Sequence, residues 1–331
     1  MGKGQIYSQF MYGTETTYGT SVTRNTVHSR IQSYDPFERN NNIYERGCGE
    51  GMNSVKSYYG PYDCGATVNF NVNDFDFLKH WIGPKTGSGT AGSPYLLTEA
   101  TEPLMNSANS IYSFSYEAAN TSDATDDVLL FGGCVGNDFT FNGEVDGILS
   151  CSANFFGQKS LSVSSATSYT PSAVSSFVMI NGSWKWGSTP SVISGVRRFS
   201  MTYTNGMTAS DYRDINNRFI SRPTLPGNRL YSGTLTVATS TTLAQSIRAD
   251  FYGQVATSGP EDGSTSVETK ANLEFEIDFI SGSKYAVIAL DACSIDDISE
   301  PSAIGNGLVL MTFNFTAREA KSNIPIKWWD V

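Results

Sequence analysis

The stretch Gly147 to Gln158, GILSCSANFFGQ, returns 160 positions later as Gly307 to Arg318, GLVLMTFNFTAR. Without a gap, Gly147 falls on Gly307, Ile148 on Leu308, Asn154 on Asn314 and Phe155 on Phe315. Each copy alternates its side chains between turn residues, the pattern of a strand with one face on a core. A repeat of this kind constrains the fold more than composition does, because the elements ahead of the two copies must then correspond in order.

They do. Leu129 to Phe139, LLFGGCVGNDF, stands where Ala286 to Ile298, AVIALDACSIDDI, stands in the second half. Ahead of these, Tyr112, Phe114 and Tyr116 alternate with Ser113, Ser115 and Glu117, as Leu273, Phe275 and Ile277 alternate with Glu274, Glu276 and Asp278. Farther upstream, Gly65 to Gly83 faces Gly233 to Gly253. There Val68, Phe70 and Val72 read as a strand, after which Asn73 or Asp74 can cap a short helix carrying Phe75, Leu78 and Ile82. In the second copy Leu235 and Val237 alternate, Ser240 can cap, and Leu243, Ile247 and Phe251 recur every four residues. The order strand, helix, strand, strand, strand appears twice, which is the signature of duplication.

The expected fold is all-β: two tandem duplicated β-sandwich or partly closed β-barrel domains, each with one short α-helix. A chain of 331 residues has room for both. Charged residues at 16% and aromatics at 12% favour strands and tight turns over helices. The expected division is an N-terminal arm over 1–26, a first domain over 27–159, a Ser/Thr/Ala/Val linker over 160–176, a second domain over 177–318 and a C-terminal arm over 319–331.

At Thr14 to Thr20, TETTYGT, at Gly65 to Gly83 and at Phe131 to Cys134, FGGC, the chain resembles the major tail tube proteins of tailed bacterial and archaeal viruses, in their long, two-domain form. The resemblance spans most of Thr14 to Arg318 and implies a structural virion protein whose subunits self-assemble into stacked rings around a channel for viral DNA. The subunits of the single-domain family form rings of six. A chain with two copies implies a pseudo-sixfold ring of three, with a ring of six as the alternative. Implied partners are further copies of the chain, a tape measure protein, a tail terminator and a baseplate or tip protein. Double-stranded DNA would pass through without tight binding. The place would be the virion tail, after assembly in a host cytoplasm.

Three groups of residues are candidates for that function. The stripe Glu274, Glu276 and Asp278, with Glu117 in the first copy, would make an acidic channel wall, since no Lys/Arg row offers counterion release to phosphates; a strand kept soluble by charge is the other reading. The long segment from Arg30 to Tyr62, with Arg39, Tyr44 and Arg46, and its counterpart Arg213 to Asn228, with Arg218 and Arg222, would reach a neighbouring ring, or else form surface loops. Tyr18, Trp328 and Trp329 on the terminal arms would pack on the domain or on another subunit.

Other chemistry finds little support. A net charge of −10 disfavours a general nucleic-acid binder. Five cysteines without a CxxC indicate neither zinc nor a disulfide framework, leaving buried thiols or a Cys48 to Cys64 bridge. Only His28 and His80 are present, with no GxSxG nearby, and the pairs Glu144 with Asp146 and Asp296 with Asp297 lie in expected turns. No catalytic residue, metal or cofactor is expected. No membrane segment is expected either, since no 18 consecutive residues are apolar. The competing class is a carbohydrate-binding β-sandwich on a virion or cell surface.

Overall fold

The computed structural model describes residues 7–45, 56–101, 109–121, 127–163, 165–171, 173–187, 190–207, 213–214, 217–221, 229–238, 246–247, 250–251, 273–281, 284–299 and 310–330. In the first half the strands are β1 (Gln9–Thr14), β2 (Thr26–Val27), β3 (Ile31–Asn40), β4 (Ile43–Glu45), β5 (Lys56–Tyr58), β6 (Tyr62–Asn71), β7 (Lys85–Thr86), β8 (Tyr95–Leu97), β9 (Phe114–Asn120), β10 (Asp127–Glu144), β11 (Ser150–Gly157) and β12 (Lys159–Ser162). The second half contributes β13 (Gly182–Gly187), β14 (Ser191–Ile193), β15 (Val196–Thr204), β16 (Leu230–Ala238), β17 (Leu273–Ser281), β18 (Lys284–Ser299), β19 (Leu310–Ala320) and β20 (Ile326–Asp330). The chain is all-β, as its alternation requires.

Each half is two layers joined by one long strand. In the first, β2, β1, β9 and the start of β10 form one sheet with β12, while β3, β6, β11 and the end of β10 form the other. In the second, β14, β13, β17 and the start of β18 form one sheet with β20, while β15, β16, β19 and the end of β18 form the other. The pairing scheme of β1, β2, β3, β6, β9, β10, β11 and β12 thus recurs in β13, β14, β15, β16, β17, β18, β19 and β20.

Detail repeats as well as order. β3 shifts register between Ile31 and Ser33, and β15 does so between Val196 and Arg198. β10 shifts between Gly136 and Asp138 against Asn154, and β18 between Ile295 and Asp297 against Asn314. Thr67 donates to Asn154 Oδ1 at 2.6 Å, and Thr234 donates to Asn314 Oδ1 at 2.8 Å. In the cores, Tyr34 stacks on Tyr116 with ring centroids 5.8 Å apart, and Phe199 stacks on Phe275 at the same 5.8 Å.

The long strands cross from layer to layer at a left-handed residue, Gly133 (φ 65°) in β10 and Ala292 (φ 49°) in β18. Glycine is well suited to the first position, because a Cβ there would lie 2.7 Å from that of Gln158. The bend in β10 is held by Glu15. This fully buried carboxylate accepts hydrogen bonds from the amides of Gly19 (3.0 Å) and Gly133 (2.9 Å) and from the hydroxyls of Ser113 and Ser115 (both 2.8 Å). In β18 the amide of Ala292 finds the carboxylate of Asp291 at 2.8 Å.

The two layers with β3 and with β15 are not separate. The outer edge of β10 pairs with the outer edge of β15, from Asp138 opposite Thr204 to Glu144 opposite Arg198. One antiparallel sheet results, in the order β3, β6, β11, β10, β15, β16, β19, β18. No pairing among the described residues leads back to its start, so the sheets stay open; the barrel alternative is corrected to layered open sheets. A two-stranded hairpin, β4 with β5, stands apart.

Several local expectations change. The helix expected after β6 is a 3-10 turn, Asp76–His80, in which Asp74 Oδ1 takes the amide of Asp76 at 3.0 Å. Of its counterpart only Ser246, Ile247, Asp250 and Phe251 are described, with helical backbone. Within residues 1–26, Gln9–Thr14 form β1, which pairs along β9. The segment read as a linker opens inside β12. Cys64, Cys134, Cys151 and Cys293 are buried free thiols, which removes the Cys48 to Cys64 bridge; Cys48 lies outside the described residues. Burial pushes the thiols of Cys64 and Cys293 up to about 12, so neither is a nucleophile at neutral pH. No described helix is long and apolar enough to cross a membrane.

Candidate functional site

The joint between β10 and β15 is tied to the core by Trp81. The alternation of β15 turns Phe199, Met201 and Tyr203 inward, and the chain then places Asn205 beneath the 3-10 turn. Trp81 Nε1 donates to the carbonyls of Asp138 (3.0 Å) and Asn154 (3.1 Å). Its own carbonyl accepts from Tyr203 Oη (3.2 Å) and Asn205 Nδ2 (3.0 Å). Asn205, fully buried, also donates to the carbonyl of Gly136 (3.0 Å) and accepts from Tyr203 Oη (2.7 Å). Gly136 has to be small, since a Cβ there would lie 2.2 Å from the Trp81 ring. Asn205→Leu removes the donor to the Gly136 carbonyl and one of the two donors to the Trp81 carbonyl, so it should cost about 2 kcal/mol and lower the melting temperature by about 4 °C. A melt within 1 °C of the parent would show that the joint does not depend on this network.

The eight-stranded sheet has one face on the core and one face bare. On its six inner strands the bare face shows Thr67 and Asn69, Ser152 and Asn154, Thr140 and Asn142, Ser200 and Thr202, Thr234 and Thr236, and Thr312 and Asn314. These side chains bond to one another: Thr140 to Thr202 and Thr236 to Thr312, both at 2.9 Å. Asp138 lies among them, and Asn154 Nδ2 donates to it at 2.5 Å. The middle of the face is therefore a polar surface of hydroxyls and amides, with charges toward its ends and edges: Asp63, Glu144 paired with Arg198, and Asp35, Arg39 and Asp297 on the edge strands.

The acidic stripe lies elsewhere, on β17 in the other layer, and each of its carboxylates is ion-paired. Lys185 bridges Glu276 (2.6 Å) and Asp278 (2.5 Å), while Lys321 binds Glu274. The hydrogen bonds that Lys185 donates to Asp278 and Glu276 raise its pKa. Glu117, only 2% exposed, is bound by Arg24 at 2.6 Å and by the amide and hydroxyl of Thr167. None of the four is a bare carboxylate.

The two long loops are brought together at one end of the sheet. The hairpin β4 with β5 exposes Ile43, Tyr44 and Tyr58, and Tyr59 follows with 78% of its surface exposed. From the second half, Arg218 lies 5.2 Å from the Tyr59 ring and donates to Asn40 Oδ1 at 2.5 Å. Arg213 pairs with Asp63 and donates to the carbonyls of Tyr62 and Arg218. Arg39 is exposed beside Phe37. Arg46 and Arg222 lie outside the described residues.

The terminal candidates pack on their own chain. Tyr18 joins a small cluster with Ile111, Val135 and Phe156. Trp328 is buried against Phe75 and Tyr95, and Trp329 lies 4.2 Å from the Tyr285 ring. Strand β20 pairs with β18 on one side and with β8 of the first half on the other, so the C-terminal segment ties the halves together. The sequence did not single out Glu15, Trp81 or Asn205 as functional, although Glu15 stands inside the TETTYGT motif. Among the described residues no group of three or more His, Cys, Asp or Glu is placed to hold a metal ion.

A family model described as phage tail tube protein matches residues 8–317. No curated protein matches the chain.

Proposed function

Because the chain belongs to the phage tail tube protein family, we propose that it is the major tail tube subunit, assembling as rings of three chains stacked around a channel for viral DNA. The observation that carries this is the eight-stranded sheet, in which two halves of like pairing order already sit edge to edge. A third and fourth half can be added by the same kind of edge contact, and a repeated head-to-tail contact closes into a ring. We attribute the like halves to duplication, each taking one of six stations.

Spacing favours three chains. With strands about 4.8 Å apart, two chains close a cylinder about 24 Å across at the backbone, three about 37 Å and six about 73 Å. Side chains take up about 5 Å on each side, so three chains leave room for a double helix, whereas two do not and six leave a wide void. The second layers add bulk on one face of the sheet, and the longer outer circumference is where that bulk fits. The bare hydroxyl and amide face then lines the channel, in place of the paired carboxylates of β17. The middle of that wall is hydroxyls and amides, and its exposed Arg198 is paired with Glu144, so it offers phosphates little counterion release and DNA slides without being held.

The hairpin β4 with β5, braced by Arg218, would reach the next ring. Tape measure, terminator and tip proteins are the proposed partners at the ends, with assembly in the host cytoplasm and no catalytic role. Electron micrographs of the purified chain test the reading. The expected result is uniform hollow tubes with three chains per ring and a channel about 27 Å wide between side chains. Discrete globules at any concentration would end it, and rings of six would end the three-chain form.

A further inference from the structure

Resting on the tube reading, we propose that the free edge of β18 in one copy pairs antiparallel with the free edge of β3 in the next, with Asp297 opposite Arg39. The chain carries the template for this contact in the pairing of β10 with β15. By their shared bulges and shared partners, β18 stands to β19 as β10 stands to β11, and β3 stands to β6 as β15 stands to β16. Asp297 opposite Asn314 then takes the place of Asp138 opposite Asn154, and Tyr34 opposite Val68 takes that of Phe199 opposite Leu235. In the template Asp138 faces Thr204 and Thr140 faces Thr202. Carried over, Asp297 faces Arg39 and Ser299 faces Phe37.

The residues that meet are suited to each other. The amide of Val145 donates to the carbonyl of Arg197 at 2.9 Å, which makes that pair hydrogen-bonded and the alternate pair, Asp138 with Thr204, the closer non-hydrogen-bonded kind. Asp297 and Arg39 inherit that close spacing. Both are exposed, and neither has an ion-pair partner among the described residues. They are opposite charges at the position where a cross-strand pair is strongest.

Pro36 sets a limit on what else can bind this edge. The amide of Asn41 donates to the carbonyl of Pro61, so the alternation of β3 turns the nitrogen of Pro36 to the free side. An edge missing one donor resists indiscriminate pairing, while Tyr34 and Glu38 on either side still present theirs. The two edges differ, so the contact runs head to tail and does not satisfy itself in a twofold dimer.

The test is the double variant Arg39→Cys, Asp297→Cys with Cys48→Ser, oxidised after assembly. The expected result is a non-reducing ladder of one, two and three chains that stops at three, absent from either single variant. Tubes that form without cross-links would overturn this joint and leave the tube reading standing. Folded protein that gives neither tubes nor cross-links, with the unsubstituted chain also failing to assemble, would overturn both. As a second measurement, Arg39→Asp should raise the concentration needed for assembly about tenfold, and adding Asp297→Arg should restore it to within about threefold. An unchanged requirement in Arg39→Asp would rule out the ion pair.

Discussion

Glu15→Ala lowers the melting temperature by about 8 °C, the result of losing about 4 kcal/mol at one buried carboxylate. The residue is fully buried and takes four hydrogen bonds, two from backbone amides that have no alternative partner in the described structure. Bonds to a charged acceptor are the strong ones, and donors left buried without a partner are costly. Glu15→Gln should fall between, because it keeps the shape but brings a donor into a site made of donors. The loss should be local at first, since Gly133 is the bend where β10 leaves one layer for the other. Hydrogen exchange should therefore rise earliest in β1 and in the first half of β10. Thermal melts of both variants beside the parent check this, and a drop below 2 °C in Glu15→Ala would mean that water replaces the carboxylate at little cost.

Acid is the second large lever. Burial lowers the pKa of both His28 and His80 to about 3. His28 sits among Tyr12, Phe70, Phe77 and Tyr116, and His80 Nδ1 donates to the carbonyl of Tyr112 at 2.8 Å. In the unfolded chain both titrate near 6.5. Above that value neither state binds the proton and there is no effect. Between about 6.5 and 3 only the unfolded chain binds it, so stability falls as pH falls. The slope is about 1.4 kcal/mol per pH unit for each histidine, or roughly 4 kcal/mol for the two between pH 6.5 and pH 5. Urea midpoints at pH 7 and pH 5 should differ accordingly, and His28→Phe should remove about half of the difference. Equal midpoints at the two pH values would show that these histidines are not held neutral.

The parts of the fold that could be read from the residues are those that alternate cleanly. Asn154 and Phe155 against Asn314 and Phe315 gave the repeat because β11 and β19 are central strands, with one face fixed by the core and the other by cross-strand bonds. The matching of β1 with β13 and of β3 with β15 stayed hidden. Tyr12 and Trp186 fill equivalent places but share little beyond aromatic bulk, and β3 is an edge whose outward residues answer to no neighbour within the chain. The acidic stripe was visible on β17, yet its meaning was not, because Lys185 comes from 91 residues away in β13. Alternation predicts which face a carboxylate occupies and is silent about who pairs with it. Likewise, the TETTYGT motif marked the right place, but only the bend at Gly133 explains why an acid belongs there.

The recurrence of one pairing scheme along a single chain also bears on how such a particle can change over generations. A subunit with one copy writes every substitution at all positions around the circumference at once, so an altered loop must be tolerated everywhere or nowhere. In the proposed ring of three, a substitution in 190–207 would alter alternate positions and leave the ones between untouched. Half of the circumference would hold the architecture while the other half experiments.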